Sequence, residues 1–188
     1  MVYADLVRPS LRRSARLVDL ALVVAGSLLL ALSARVAIPL PFSPVPVTGQ
    51  TLAVLLLGAL LGSRRGPSAI LLYLLAGALG LPGFAGGAAG LGRLAGPTGG
   101  YLVGFAVAAF LTGLLAERGW DRRAPTAFLA MLLGNGAVYA CGLPWLAAFV
   151  GFDRVLALGL LPFVPGDLFK LVLATLVLPA GWRLLGQP

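Results

Sequence analysis

The sequence predicts an all-α integral membrane protein in which about six transmembrane helices form a bundle. Of its 188 residues, 60% are hydrophobic and only 11% are charged, and the mean hydropathy is +1.00. Soluble domains carry roughly a quarter charged residues. Apolar runs of membrane-spanning length recur along the chain, and most arginines lie between them. We therefore expect a single membrane domain, residues 1–188, embedded in a lipid bilayer.

Glycine, proline and arginine mark the ends of the predicted spans. The spans cover approximately residues 17–38, 47–61, 67–81, 99–116, 125–143 and 166–183. The second and third are short for a hydrocarbon core of about 30 Å, so we expect them to lie inside the bundle or to meet a re-entrant loop. Pro144 to Pro165 is expected to be a connection with aromatic residues at the membrane interface. Residues 82–100 hold too many glycines for a stable helix and predict an extracellular cap loop.

The arginines orient the predicted bundle. With a cytoplasmic N-terminus, two arginines, Arg93 and Arg154, fall on the outer side of the membrane and ten fall on the inner side. The inner arginines are Arg8, Arg12, Arg13, Arg16, Arg64, Arg65, Arg118, Arg122, Arg123 and Arg183. The positive-inside rule therefore predicts that both termini are cytoplasmic. A cleaved signal peptide is the alternative, but no small-residue cleavage site is followed by a polar mature chain.

The sequence lacks the residue patterns of most catalytic and nucleic-acid-binding proteins. It has no His, the single cysteine Cys141 and few acidic residues, so we expect neither a metal site nor a disulfide. It has no paired intramembrane carboxylates and no glycine-rich loop that cradles nucleotide phosphates, so we expect it not to be an enzyme. The net charge is +8, but the arginines form no basic domain with interleaved aromatics, and nucleic acid is not an expected partner.

Asp167 and Lys170 are the charged residues that stand out, near the outer end of the sixth predicted span. Their i, i+3 spacing places both on one face of a helix. Charged groups at membrane depth normally face the bundle interior and mark a functional site. The alternative is a structural ion pair that closes the start of the helix, where the helix dipole favours Asp167.

Other polar groups fall in the same outer half of the predicted bundle. Thr48 and Gln50 open the second span, Tyr101 begins the fourth, and Asn135 lies inside the fifth. Taken singly, Asn135 is equally explained by an interhelical hydrogen bond, and Tyr101 by an aromatic anchor at the membrane interface. Together with Asp167, they predict a pocket near the outer surface for a small polar molecule.

Three motifs resemble the BioY family, the biotin-specific substrate-binding (S) components of energy-coupling factor (ECF) transporters in prokaryotes. The motifs are Ile38-Pro-Leu-Pro-Phe-Ser-Pro-Val-Pro-Val-Thr-Gly-Gln-Thr51, Gly96-Pro-Thr-Gly-Gly-Tyr101 and Pro165-Gly-Asp-Leu-Phe-Lys170. Their order and spacing match the family over residues 17–178. The resemblance implies a multi-pass protein of the prokaryotic cell membrane that binds biotin with high affinity near the extracellular face. Its implied partners are a transmembrane coupling subunit and a pair of cytoplasmic ATPases.

Ala21 and Ala25 form a small-xxx-small pair in the first span, a spacing that lets another helix approach closely. The pair resembles the docking motif by which S components meet their coupling subunit. No cofactor is implied besides the ligand biotin. Two alternatives to the biotin assignment stay open: an S component for another small vitamin, and a non-transport structural membrane protein in which Asp167 and Lys170 only lock the bundle.

The chemistry of biotin suggests a role for each candidate residue. The ureido ring needs acceptors for two N–H groups and a donor for its carbonyl, which Asp167, Asn135 and Gln50 can share. Its carboxylate needs a cation, for which Lys170 is the first choice and Arg93 the second. The thiophane ring and valerate chain need an apolar wall. The expected wall residues are Tyr101, Phe84 and Trp145, with Thr48 beside them.

Overall fold

A computed structural model describes residues 1–6 and 12–186 of the chain. Its described helices and strands are α1 (Tyr3–Leu6), α2 (Arg12–Ser33), β1 (Ala37–Leu40), β2 (Ser43–Thr48), α3 (Gln50–Ala78), α4 (Leu91–Ala95), α5 (Gly99–Glu117), α6 (Ala124–Val150), α7 (Val155–Gly159) and α8 (Val164–Leu184). Two short 3-10 turns, Ala85–Gly87 and Trp120–Arg122, lie on either side of α5. Five helices in the described part of the chain, α2, α3, α5, α6 and α8, contain stretches long and apolar enough to cross a membrane.

Helix α3 folds back on itself at Gly62, where φ is +86° and ψ is 178°. A Cβ atom on Gly66 would lie 3.0 Å from the Cα of Gly58. Farther from the bend, the side-chain amide of Gln50 donates to the Tyr73 hydroxyl at 2.8 Å. A straight helix would separate residues 50 and 73 by about 35 Å. The first arm, residues 50–61, and the second arm, residues 63–78, therefore run antiparallel to each other.

The two arms of α3 and helix α5 form the centre of the bundle. In the most apolar stretch of α5, 67% of the residues are buried. In that of α2 only 22% are buried, so α2 lies at the periphery. Small residues bring the central helices together. A Cβ on Gly58 would lie 2.5 Å from the Ala109 carbonyl oxygen, and one on Gly104 would lie 3.0 Å from the Val138 Cα. Such contacts allow backbones to approach closely where lipid supplies no hydrophobic driving force.

A β-hairpin follows α2, so the fold is mostly helical and the prediction of an all-α protein is corrected. Strands β1 and β2 pair antiparallel, with Ala37 opposite Thr48 and Ile38 opposite Val47. Helix α2 ends at Ser33, five residues before the end of the predicted span. The prolines between positions 39 and 46 exclude a helix from about residue 38 onward, because each lacks an N–H donor and disfavours helical backbone in the residue before it. Thr48 therefore ends a strand instead of opening a helix.

Helix α6 continues through Pro144 and ends at Val150, seven residues beyond the predicted span. Pro144 removes one backbone donor, but membrane helices tolerate proline because neighbouring groups satisfy the freed carbonyl. As a result, Trp145 and Phe149 lie within a helix and not in a connection.

The Gly-rich stretch between α3 and α5 is folded over one end of the bundle. Phe84 is buried, and its ring packs edge-on against Tyr73 with the ring centroids 5.5 Å apart. A Cβ on Gly77 would lie 2.3 Å from the Phe84 ring. The Gly90 N–H also donates to the Gly77 carbonyl at 2.7 Å. These contacts fix the stretch to the second arm of α3, near the end where the β-hairpin lies.

The opposite end of the bundle collects most of the described arginines and the start of the chain. Tyr3 packs against Trp182 near the end of α8, with the ring centroids 4.2 Å apart and the planes tilted by 36°. Trp182 in turn donates its indole N–H to Asp121 at 2.6 Å. Asp121 is fully buried, and this burial raises the pKa of its carboxyl above the ordinary value, although the Trp182 hydrogen bond opposes the shift. Arg65 joins α1 to α2 by contacting Asp5 at 2.9 Å and Asp19 at 2.8 Å.

Candidate ligand-binding site

The first two turns of α8 carry the acid–base pair predicted from the sequence. Lys170 Nζ lies 3.1 Å from Asp167 Oδ1 and donates to Thr51 Oγ1 at 2.8 Å. The side chain of Asp167 is 7% exposed and that of Lys170 is 16% exposed. Thr51 also donates to Asp167 Oδ1, at 3.4 Å. The pair is therefore mostly buried and tied to the first arm of α3.

The second carboxylate oxygen of Asp167 faces α6. Asn135 Nδ2 donates to Asp167 Oδ2 at 3.3 Å, and the Tyr139 hydroxyl donates to the same oxygen. Asn135 and Tyr139 are four residues apart, which places them on one face of the helix. The Oδ1 atom of Asn135 is buried and has no hydrogen-bond partner among the described residues. Asp167 thus forms a junction at which α8 is hydrogen-bonded to α3 and α6. The Asn135 Oδ1 atom beside it is an acceptor with no partner among the described residues.

Two adjoining cavities lie between this junction and the Gly-rich stretch. They contain about 370 and 400 Å³ of atom-free space, part of it open to solvent. Both are lined by Val45, Pro46, Thr48, Tyr101 and Phe105. The first cavity adds Gln50, Phe84, Arg93 and Thr98, and the second adds Thr51, Tyr139, Asp167 and Lys170. Together they form one cleft, hereafter the cleft, with the acid–base pair in one part and an arginine in the other.

The remaining predicted residues take up different positions around the cleft. Gln50 is buried, and its amide nitrogen is used by Tyr73. Tyr101 is also buried and donates its hydroxyl to the Gly159 carbonyl at 2.9 Å, so it is a wall residue and not an anchor at the surface. Its ring lies edge-on to Tyr139 with the centroids 6.2 Å apart. The cleft wall is therefore partly aromatic.

Trp145 lines neither cavity of the cleft. Because α6 extends past Pro144, the Trp145 indole N–H reaches the Gly-rich stretch and donates to the Gly96 carbonyl at 2.9 Å. The side chain is half-exposed. Its expected role as an apolar wall for the ligand is replaced by a contact that holds the turn before α5.

Thr51, Tyr139 and Thr98 line the cleft but were not among the predicted residues. Sequence signals for the first two were available, since Thr51 follows Gln50 and Tyr139 lies one helical turn after Asn135. Thr98 lies inside the second motif, yet nothing in its sequence context separates a pocket hydroxyl from a helix cap.

Comparison with known sequences decides the family. The family model described as the BioY family matches residues 8–187 of the chain. The chain belongs to the BioY family. The family resemblance drawn from the three motifs is thereby confirmed, and those motifs form the β-hairpin with the start of α3, the turn into α5 and the start of α8. All three contribute residues to the cleft.

Named members of the BioY family are similar to this chain over most of their length. The biotin transporter BioY of Rhodobacter capsulatus is 45% identical over 166 residues, which cover 81% of this chain and 86% of that protein. The biotin transporter BioY of Rhizobium etli is 42% identical over 160 residues, with the same coverage of 81% and 86%. The probable biotin transporter BioY of Pyrococcus horikoshii is 40% identical over 140 residues, covering 74% and 82%. The members are named transporters, in agreement with the expectation that the chain is not an enzyme.

A solved structure shares the fold of this BioY-family chain. It is described as the crystal structure of the S-component for biotin from an ECF-type ABC transporter. The two chains superpose with a TM-score of 0.76 over 95% of this chain and 96% of that one, at 23% sequence identity. The match establishes that this chain has the fold of an S component.

Proposed function

We propose that this chain is the biotin-binding S component of an ECF-type uptake transporter. The observation that supports this most is the cleft, which combines a hydrogen-bonded acid–base pair with an arginine and an aromatic wall in a chain of the BioY family. Biotin carries a polar ring at one end and a carboxylate at the other, joined by apolar atoms. The cleft offers complementary groups in the same arrangement.

The ureido ring is assigned to the part of the cleft beside Asp167. The Asp167 carboxylate, which lines the cleft, and the Asn135 Oδ1 atom behind it are the assigned acceptors for the two ring N–H groups, although Asn135 itself lines neither cavity. Asn135 Oδ1 has no partner among the residues that the structure describes, and a buried acceptor left unpaired costs about 1–3 kcal/mol. A ligand N–H removes that cost. The ammonium group of Lys170 is assigned as the donor to the ring carbonyl.

The carboxylate of biotin is assigned to Arg93. Lys170 was the first choice from the sequence, but its charge is already compensated by Asp167 at 3.1 Å. Arg93 is half-buried, lines the cleft and has no carboxylate within ion-pair distance in the described ranges 1–6 and 12–186. Its planar guanidinium also matches a carboxylate with two parallel hydrogen bonds. These observations favour Arg93 over Lys170.

The proposed membrane arrangement has six crossings, with the two arms of α3 counted separately. The arginine-rich end, which holds the turn of α3 and the turn between α5 and α6, is assigned to the cytoplasm by the positive-inside rule. Both termini lie on that side in this arrangement. The cleft, the β-hairpin and the Gly-rich stretch then face the outside of a prokaryotic cell membrane, where the stretch serves as a cap loop.

The coupling subunit is proposed to dock on α2. Ala21 and Ala25 are both exposed, on the least buried of the five long helices. Larger exposed side chains flank them, including Leu17, Val24 and Leu28. A small-residue face bordered by large apolar side chains lets a partner helix approach its backbone. Energy for transport would come from the ATPase pair bound to that subunit.

The test is a calorimetric titration of the purified protein with biotin, made for the wild type and for Asp167→Asn. The variant should bind biotin about 10- to 150-fold more weakly, because it loses a charge-assisted hydrogen bond worth about 1.5–3 kcal/mol. Asp153→Asn is the matched control, since Asp153 is exposed in the connection after α6 and pairs only loosely with Arg154 at 3.6 Å. Equal biotin affinity in wild type, Asp167→Asn and Asp153→Asn would remove Asp167 from the binding site.

A further inference from the structure

The hydroxyl of Thr98 is a buried polar group that the fold does not use. Thr98 is 8% exposed, and its Oγ1 atom has no hydrogen-bond partner in the described part of the chain. It occupies the N-cap position of α5, where a threonine oxygen usually accepts a backbone N–H from the first turn. Here the backbone is already helical, with φ −89° and ψ −5°, and no such bond forms. Buried hydroxyls are normally hydrogen-bonded, so the Thr98 hydroxyl needs a partner that residues 1–6 and 12–186 do not supply.

Thr98 lines the same part of the cleft as Arg93 and Gln50. It is also the first residue before a helix of 19 residues, whose N-terminus carries partial positive charge. A guanidinium, an unused hydroxyl and a helix N-terminus therefore meet at one place, and all three favour an anion.

We propose that Thr98 is a specificity-determining residue whose hydroxyl donates a hydrogen bond to the carboxylate of the ligand, beside Arg93. The proposal rests on the function proposed above and names a contact within that same site. Arg93 attracts any anion that reaches it through charge alone. A fixed hydroxyl adds a directional donor, so a ligand ending in a carboxylate is preferred over the same ligand ending in an ester, which is neutral and a weaker acceptor.

The position of Thr98 is held by the close packing that surrounds it. A Cβ on Gly99 would lie 1.8 Å from the Leu94 carbonyl oxygen, and one on Gly100 would lie 2.3 Å from the Trp145 Cβ. The Trp145 indole N–H holds the preceding Gly96 carbonyl. The turn therefore has little freedom, and a β-branched threonine has few χ1 choices. The backbone at Thr98 is held in place before the ligand arrives, which lowers the entropy cost of binding.

The test compares Thr98→Val and Thr98→Ser with wild type, using biotin and biotin methyl ester as ligands. Valine keeps the shape of threonine and removes the hydroxyl, whereas serine keeps the hydroxyl. We expect Thr98→Val to bind biotin about 10- to 150-fold more weakly and to bind the methyl ester with an affinity close to that of wild type. Thr98→Ser should retain most of the biotin affinity.

The ligand-free proteins provide the control for folding. Removing an unsatisfied buried hydroxyl should leave the melting temperature of Thr98→Val unchanged or raise it. Unchanged biotin affinity in Thr98→Val overturns the proposal, and so does an equal loss for biotin and its methyl ester, since the hydroxyl would then act elsewhere than on the carboxylate. Failure of the wild type to bind biotin at all would instead contradict the proposed function, so the two failures are distinguishable.

Discussion

Replacing Lys170 with methionine separates a role in the fold from a role in binding. The substitution removes the ammonium group and keeps most of the aliphatic stem. Removing one partner of a buried ion pair usually lowers the free energy of unfolding by about 3–5 kcal/mol, because the other charge is left unpaired. In this protein Asp167 would keep hydrogen bonds from Thr51, Asn135 and Tyr139. The cost should therefore fall to that of one charged hydrogen bond, about 1.5–3 kcal/mol.

Replacing the other residue of the ion pair, in Asp167→Asn, should lower the free energy of unfolding more than Lys170→Met does. Asp167→Asn removes the negative charge of a carboxylate that accepts from four donors, so the charge of the mostly buried Lys170 is left uncompensated. Equilibrium unfolding of the ligand-free proteins in detergent measures both values, and calorimetry measures biotin affinity on the same samples. We expect Lys170→Met to weaken biotin binding about 10-fold or more, through the lost donor to the ureido carbonyl. A loss of 3–5 kcal/mol in stability with unchanged biotin affinity in Lys170→Met would show that the pair is structural.

Three further predictions concern packing, assembly and pH. Gly58→Leu should prevent correct folding, because a Cβ at that position would lie 2.0 Å from Thr112 Oγ1. Gly136→Leu is the control and should fold normally, because a Cβ there would meet no atom within 4 Å. Size-exclusion chromatography of the purified variants measures whether each is monodisperse. Ala21→Trp with Ala25→Trp should abolish copurification with the coupling subunit and leave biotin affinity intact; loss of both would indicate internal packing instead. The raised pKa of Asp121 means that its contribution to stability is largest below the unfolded-state value of about 3.8 and is lost as pH rises through the folded-state pKa. Asp121→Asn should therefore flatten the fall in melting temperature above pH 4, and an unchanged pH profile would contradict that cause.

The acid–base pair was the part of the site most accessible to sequence reasoning. Charged residues are rare at membrane depth, and the spacing of Asp167 and Lys170 fixes a common helix face whatever the surrounding fold. Asn135 was found for a similar reason, as an amide inside an apolar run. The structure brings all three together within hydrogen-bond distance. The sequence did not show that Lys170 pairs with Asp167. Because of that ion pair, the cation proposed for the biotin carboxylate is Arg93 and not Lys170.

The parts of the fold that escaped prediction depend on tertiary contacts. The prolines between positions 39 and 46 indicate a break in helix, but their sequence does not specify the strand register of the β-hairpin. Pro144 suggested a helix end, whereas α6 continues through it to Val150. This extension also moved Trp145 out of the cleft. Thr51, Tyr139 and Thr98 are ordinary residues in an apolar chain and become site residues only through the approach of neighbouring helices.

The central claim is that the cleft binds biotin in preference to other vitamins. The most direct measurement is an isothermal titration of the purified wild-type protein with biotin and, separately, with a panel of other water-soluble vitamins. The account predicts saturable binding of one biotin per cleft, tighter than the binding of any other vitamin tested. Absence of saturable biotin binding by the folded protein, or tighter binding of a different vitamin, would contradict it.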